Sequence, residues 1–270
     1  MKLWTLGSGS AGNAVLVECG ETRVLVDCGF GTRTMAMRLK LAQVAPESIS
    51  ACIVTHEHSD HVKGVSQSAK KWGWQVFATT GTAQCPELAD IAVTMFAAGD
   101  CLSIGNLKVE TRRIPHDASE PIGVVLESHR SGVRAGVAYD VGHVTDDVRA
   151  LCRDLDLLIL ESNHDDGMLR AGPYPWSVQQ RIAGPLGHLS NREASALAAD
   201  SMSPNLAHVV LAHLSERCNE AGLAEARTRA ALVKARFRGA VTAASQGVVV
   251  GPFEPRTSRQ RDAVQMALAL

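Results

Sequence analysis

The chain has 270 residues, 46% of them hydrophobic, enough to bury the core of one large α/β domain or two small ones. Lysine plus arginine (27) nearly cancels aspartate plus glutamate (28), which excludes the overall basic footprint of a sequence-independent nucleic-acid binder and leaves any polyanion to be caught locally. Residues 1–6 run into glycines without a secretory leader, no apolar run reaches membrane-span length, and seven scattered cysteines form no Cys-x-x-Cys pair, so the expectation is a cytoplasmic protein with no membrane partner and no disulfide framework.

Residues 3–6, 14–19 and 22–26 are β-rich runs separated by the loop Gly7-Ser8-Gly9-Ser10-Ala11-Gly12-Asn13 and a turn at Gly20-Glu21, which predicts paired strands. The loop lacks the Gly-Lys-Ser/Thr of a P-loop, so it either offers backbone N–H groups and hydroxyls to a phosphate or is only a tight turn. Residues 34–41 read as a helix, 51–54 as a short buried strand and 62–72 as a second helix. Further strands are predicted over 107–113, 122–128 and 133–139, a buried run over 155–160, and another strand over 207–211. Ser190-Asn191-Arg192-Glu193 is a capping box that opens a helix with Ala194, Leu197, Ala198 and Ser201 on one face, and a longer helix is predicted over 220–236. Asp27-Cys28-Gly29 and Asp140-Val141-Gly142 each put an aspartate at a strand end in corresponding parts of the two halves, which hints at an internally duplicated ββα sandwich. A single domain is expected over 1–255, followed by a tail over 256–270.

The chemistry is concentrated in His56-Glu57-His58-Ser59-Asp60-His61, three imidazoles and a carboxylate at the exit of a predicted buried strand. In an extended segment alternate residues face the same way, so His56 and His58 can grip one ion while the following turn brings Asp60 and His61 to a second. Imidazole and carboxylate suit Zn(II), Fe(II) or Mn(II) alike. Partners for them appear at later strand ends: His116 in Ile114-Pro115-His116-Asp117, Asp140 in Tyr139-Asp140-Val141-Gly142, and His213 in Leu211-Ala212-His213. A single histidine after an apolar strand is ordinarily structural, but together these residues make a dinuclear site in which Asp140 can bridge.

The pattern His-x-His-x-Asp-His, followed by a His, an Asp and a final His, resembles the metallo-β-lactamase superfamily over nearly the whole chain. That resemblance implies a four-layer αββα sandwich, with His56, His58 and His116 on one metal, Asp60, His61 and His213 on the other, and Asp140 bridging. β-Lactamases themselves put Cys or Ser where this chain has Asp140. The glycine-rich loop, Thr55 with the cluster after it, Glu161-Ser162-Asn163-His164-Asp165, Pro173-Tyr174-Pro175-Trp176 and Gly187-His188-Leu189-Ser190-Asn191 look closest to the YycJ/WalJ-type branch of the tRNase Z-like phosphodiesterases. It implies a phosphodiesterase or DNA exonuclease with two divalent ions, Zn(II) first and Mn(II) or Fe(II) as alternatives, and a nucleic-acid substrate, DNA above RNA. His143 departs from the aromatic residue expected there and is not assigned a catalytic role.

Two such ions bridge a water, acidify it and polarise a phosphoryl oxygen, so the nucleophile would be a metal-bridging hydroxide oriented by Asp60, an acceptor as well as a ligand. His188, two residues before the capping Ser190, is by analogy the general acid, although a helix N-terminus would depress its pKa; the structural alternative is a loop histidine that fixes the helix entry. Asp27 either orients a ligand imidazole or caps a strand end. Arg170, Arg181 and Arg192 form either a local phosphate-binding edge or a solvated face. Tyr174 and Trp176 could stack on a base, but loops of this composition usually pack on their own domain. The same metal site would also serve a hydrolase of small thioesters, lactones or cyclic phosphodiesters. A non-hydrolytic di-iron redox or binding module is the alternative of another class, and it usually needs a carboxylate in place of one histidine and a flavin partner domain.

Overall fold

The computed structural model describes residues 1–256, so apart from Arg256 the expected tail lies outside the described residues. Strands β1 (Lys2–Gly7), β2 (Ala14–Cys19), β3 (Thr22–Val26), β4 (Ala51–Val54), β5 (Gln75–Thr79) and β6 (Val93–Phe96) follow one another across one sheet. The second sheet holds β7 (Cys101–Ile104), β8 (Leu107–Arg113), β9 (Ile122–Ser128), β10 (Arg134–Ala138), β11 (Leu157–Glu161), β12 (His208–Ala212) and β13 (Ala240–Ala243), and β14 (Val250–Phe253) returns to pair with β1. Helices α1 (Thr32–Leu41), α2 (Ser59–Val62), α3 (Val65–Trp72) and α4 (Thr80–Ala83) belong to the first half of the chain. The second half contributes α5 (Asp146–Leu151), α6 (Asp166–Ala171), α7 (Trp176–Ile182), α8 (Asn191–Asp200) and α9 (Ala221–Lys234).

Side chains alternate across a strand, and here both faces are buried. Val15 and Val17 of β2 meet Val124, Leu126, Val137 and Ile159 of the opposite sheet in an inner apolar layer. Leu16, between them in sequence, turns outward with Leu25 and Val54 onto Met35 and Leu39 of α1 and Val65 of α3. On the other flank Val125, Leu158 and Leu211 pack with Leu151 of α5, Leu197 of α8 and Leu232 of α9. The result is the four-layer αββα sandwich, and it explains why the central strands read as unbroken apolar runs.

The sheets share one connectivity. β1 to β3 are antiparallel and β3 to β6 parallel, while β7 to β10 are antiparallel and β10 to β13 parallel. The change falls at β3 and β10, the strands that end just before Asp27 and Asp140. Clefts beyond the carboxyl ends of parallel strands at such switch points are where α/β sheets bind ligands.

Three expectations are corrected. The helix expected over 62–72 starts earlier, at Ser59, and divides into α2 and α3 around Gly64. There the chain passes so close to the loop after β3 that a Cβ on Gly64 would stand 1.8 Å from the Phe30 carbonyl oxygen. Tyr139 lies beyond the end of β10 rather than in the strand. The strands β5, β6, β7, β13 and β14 and the helices α4, α5, α6 and α7 lie outside the elements expected from sequence; the strands are runs of four or five residues at sheet margins or between helices, and the helices have four to seven residues.

Candidate metal centre

The centre is assembled from strand exits. Thr55 and His56 leave β4, Asp60 and His61 sit in α2, His116 follows β8, Asp140 follows β10, Glu161 ends β11 and His213 follows β12. Asp27, Asp140 and His213 all take left-handed backbone, with φ of 65°, 57° and 53°. Such conformations cost a non-glycine residue about 1–3 kcal/mol and persist where the surroundings hold them, here by turning each side chain into the space between the sheet ends. Close packing holds the first turn: a Cβ on Gly29 would lie 1.7 Å from the Asp60 carbonyl oxygen, so the chain after β3 abuts the cluster backbone to backbone.

All seven residues expected as ligands converge. One donor atom each from His56, His58 and His116 lies within 4.8 Å of the others, as do those of Asp60, His61 and His213, and those of His56, His61 and Asp140. Most of the imidazoles have one nitrogen tied back and the other turned inward. His61 Nδ1 donates to Asp27 Oδ2 at 2.7 Å, His116 Nδ1 donates to the Gly187 carbonyl at 3.2 Å, and His56 Nδ1 stands 3.1 Å from Thr55 Oγ1. His213 Nδ1 lies 3.2 Å from Glu161 Oε1, which leaves Nε2 beside Asp60 Oδ2 at 3.4 Å. Fixing one ring nitrogen in this way selects the tautomer that presents the other as a ligand.

Among the seven expected ligands, two buried atoms lack hydrogen bonds, His56 Nε2 and Asp140 Oδ2. Asp140 Oδ2 lies 2.8 Å from His61 Nε2, in a direction that makes no hydrogen bond, and 3.9 Å from His56 Nε2. Buried polar atoms are rarely left so. Both face the same space, and the donor set of imidazoles and carboxylates matches a divalent transition ion.

The electrostatics agree. Burial opposes ionisation of Asp60, Asp140 and Glu161, yet the surrounding histidines outweigh it: Asp60 and Asp140 are held below the usual carboxylate range and Glu161 falls to about 2. Against the same burial, Asp140 with Asp27 pushes His61 well up, Glu161 with Asp140 pushes His188 well up, and Asp140 with Asp60 raises His213 to about 9. Burial pushes His56 and His116 down, leaving them neutral and able to ligate. Four buried or half-buried carboxylates, Asp27, Asp60, Asp140 and Glu161, demand positive charge, supplied by protons on imidazoles or by metal cations.

Glu161 is the functional residue that sequence reasoning left without a role. Fully buried, it accepts from the backbone N–H groups of Val141 (2.8 Å) and Leu189 (3.1 Å) and from His188 Nδ1 (2.7 Å). Its signal was a lone carboxylate ending the apolar run Leu157–Leu160, since an ionised group there must be paired. One donor atom each of Asp140, Glu161, His188 and His213 also lies within 4.8 Å of the others. With its oxygens taken by two amides and two imidazoles, Glu161 acts there as an ion-paired anchor. It raises the His188 pKa, opposite to the depression expected from the helix end.

Asp27 serves both of its expected roles. It caps the strand exit by accepting from Thr55 N and Oγ1, each at 2.7 Å, and it orients His61 while also accepting from the Tyr139 hydroxyl at 2.7 Å. The glycine-rich loop is a turn locked around Asn13, whose amide accepts from Gly9 N at 2.9 Å and donates to Asp60 Oδ2 at 3.1 Å. From it only Ser10 reaches the cleft. Of the three arginines considered, Arg181 lines the cleft, whereas Arg192 turns to Asp166 and Glu193. Trp176 is 70% exposed rather than packed on the domain, while Tyr174 is half-buried beneath Arg217. His143 donates to the Pro185 carbonyl.

The open cleft over the centre measures about 330 Å³ and is lined by His58, Asp60, His116, Asp117, Asp140, His188 and His213, with α7 as its other wall. Among the described residues no helix is long and apolar enough to cross a membrane.

Comparison with known proteins agrees with this arrangement. The family described as Beta-lactamase superfamily domain matches residues 22–214. Exodeoxyribonuclease YycJ of Bacillus anthracis is 35% identical over 215 residues, covering 78% of this chain and 81% of the relative. Exodeoxyribonuclease WalJ of Streptococcus pneumoniae is 32% identical over 222 residues, covering 79% and 81%. Among solved structures, the metallo-beta-lactamase fold protein YhfI from Bacillus subtilis superposes with a TM-score of 0.69 at 18% identity, over 93% of this chain and 99% of that one, which supports the fold alone.

Proposed function

The chain belongs to the β-lactamase superfamily, with the metallo-β-lactamase fold and its metal-dependent hydrolase chemistry, and from that premise we propose that it is a dinuclear phosphodiesterase that degrades nucleic acid, DNA above all, from an end. One observation carries the dinuclear reading: the buried Oδ2 of Asp140, which lacks a well-directed hydrogen bond, lies 2.8 Å from His61 Nε2 and 3.9 Å from His56 Nε2, one imidazole from each ligand trio. The nucleic-acid reading is supported by the exodeoxyribonuclease relatives and by a cleft lined by both Asp140 and His188, a histidine outside the two ligand trios.

Zn(II), Mn(II) or Fe(II) would be held by His56, His58 and His116 on one side, by Asp60, His61 and His213 on the other, and by Asp140 between. Ions bound there would supply Lewis acidity toward a phosphoryl oxygen and acidify a water. The chain's own groups do the rest. Asp60, kept ionised by His213 and His61 and steadied by Asn13, accepts a hydrogen bond from the attacking water and so orients it. His188 has Nδ1 committed to Glu161, which leaves Nε2 for the cleft, where it donates a proton to the leaving oxygen. Asp27, Thr55 and Gly187 hold the ligand imidazoles in place.

The test is digestion of end-labelled single- and double-stranded DNA and RNA by metal-loaded protein, with thioesters, lactones and cyclic phosphodiesters run in parallel. Shortening of DNA from one end, abolished by chelation and restored by metal, is expected. Turnover of the small esters with intact nucleic acids would overturn the reading.

A further inference from the structure

We infer that the face of α7 turned to the centre, carrying Val178, Arg181 and Ile182, is the subsite for the nucleotide next to the scissile phosphodiester, and that Arg181 binds that nucleotide's own phosphate. The inference rests on the nuclease reading and deepens it. Positions 178, 181 and 182 share one side of a helix, and all three side chains line the cleft that holds His58, Asp60 and His188. Two apolar side chains around a guanidinium suit a nucleotide, with sugar and base against the apolar surface and phosphate against the cation.

The guanidinium is aimed before any ligand arrives. Its Nε and Nη2 donate to Asp117 Oδ2 at 2.9 and 2.6 Å, while Nη1 has no hydrogen bond to a described residue and the side chain is 72% exposed. Asp117 is tied to the centre in turn, its Oδ1 lying 3.4 Å from His116 Nε2 and 3.9 Å from His58 Nε2. Arg181 is thus set off from the ligand trio by one carboxylate, which places it beside the scissile group rather than over it. The wall is strapped to the loops after β8 and β10: the carbonyls of Pro185, Leu186 and Gly187 accept from His143 Nδ1, Asp117 N and His116 Nδ1 at 2.8, 3.2 and 3.2 Å. A cleft of about 330 Å³ sits at the low end of the roughly 300–1,000 Å³ of small-ligand sites, room for one nucleotide beside the scissile group rather than a duplex.

The test compares wild type with Arg181→Ala, both metal-loaded and full-length, on a single-stranded thymidine trinucleotide and on the p-nitrophenyl ester of thymidine monophosphate, which carries one phosphate. An exposed ion pair adds little stability, so the variant keeps its fold. On the trinucleotide kcat/KM should fall about 10- to 100-fold, mainly through KM, and by about tenfold more than on the single-phosphate ester. The slope of log kcat/KM against log salt should flatten by about 0.7, the loss of one single-strand phosphate contact. Arg181→Lys should restore the slope but only part of the affinity, because an ammonium cannot hold Asp117 and a phosphate in one planar fork. Equal losses on both substrates with an unchanged slope would overturn the subsite while leaving the nuclease reading intact. A wild type that cleaves the ester but no oligonucleotide would remove that reading and the subsite with it.

Discussion

Asp27 follows β3 and Asp140 follows β10, the two strands at which antiparallel neighbours give way to parallel ones, and both aspartates take left-handed backbone. Both are buried and both face imidazoles. They differ in what fills their oxygens. Asp27 accepts from Thr55 N on Oδ1 and from Thr55 Oγ1, His61 Nδ1 and Tyr139 Oη on Oδ2, so both of its oxygens are held by the protein. Asp140 presents Oδ1 to His188 and His213 and keeps Oδ2 without a hydrogen bond in the middle of the cluster. One backbone device used twice therefore yields a carboxylate whose oxygens are both hydrogen-bonded and one that keeps an oxygen without a hydrogen bond, the oxygen on which the proposed bridging role rests.

The largest effect should come from Asp140→Asn. A neutral amide cannot bridge two cations, so binding at both sites should weaken together and turnover should disappear; this is checked by metal analysis and by nuclease assay on the same preparation. Weakening at one site alone would make Asp140 a terminal ligand and break the contrast with Asp27 differently.

His188→Ala should come next, with retained metal and fold but a loss of about 10²–10⁴-fold on DNA. The defect should shrink on a p-nitrophenyl phosphodiester, whose leaving oxygen scarcely needs a proton. Equal defects on the two substrates would point to phosphate positioning instead, and loss of metal would make His188 a ligand.

Asp27→Asn should be the mildest of the three. It leaves every ligand in place and disturbs only the orientation of His61, so metal affinity and turnover should each fall by about 10- to 100-fold, as measured by competition with a chelator and by steady-state rates. A collapse as complete as that of Asp140→Asn would remove the distinction between the two aspartates.

Much of this was legible in the sequence because the chemistry is local. His56 to His61 fall within six residues, and Asp140 and His213 each follow an apolar run, so strand exits alone brought them to one edge. The capping box at Ser190 formed as read, with Glu193 closing on the Ser190 backbone. What was not legible depends on long-range contacts. Glu161, the carboxylate that ends β11, signals in sequence only that it needs a partner; which partners, Val141, Leu189 and His188, is set by segments that converge on it from elsewhere. The break at Gly64 is imposed by Phe30, more than thirty residues away in the chain. Strand β6 exposes Thr94 and Met95 at a sheet edge, and so carries neither the alternation nor the apolar run that marks a strand. Trp176 stands out from α7 against the habit of such loops, and only its exposure reveals it.

The bridging role of Asp140 is most directly tested by the number of ions the wild-type chain holds at saturation, from titration of chelator-stripped protein with Zn(II) followed by elemental analysis after desalting. Two ions per chain, taken up with linked affinities, is the expected result. Saturation at a single ion would contradict it, because the bare oxygen of Asp140 would then have one partner and His56 and His61 could not belong to separate sites.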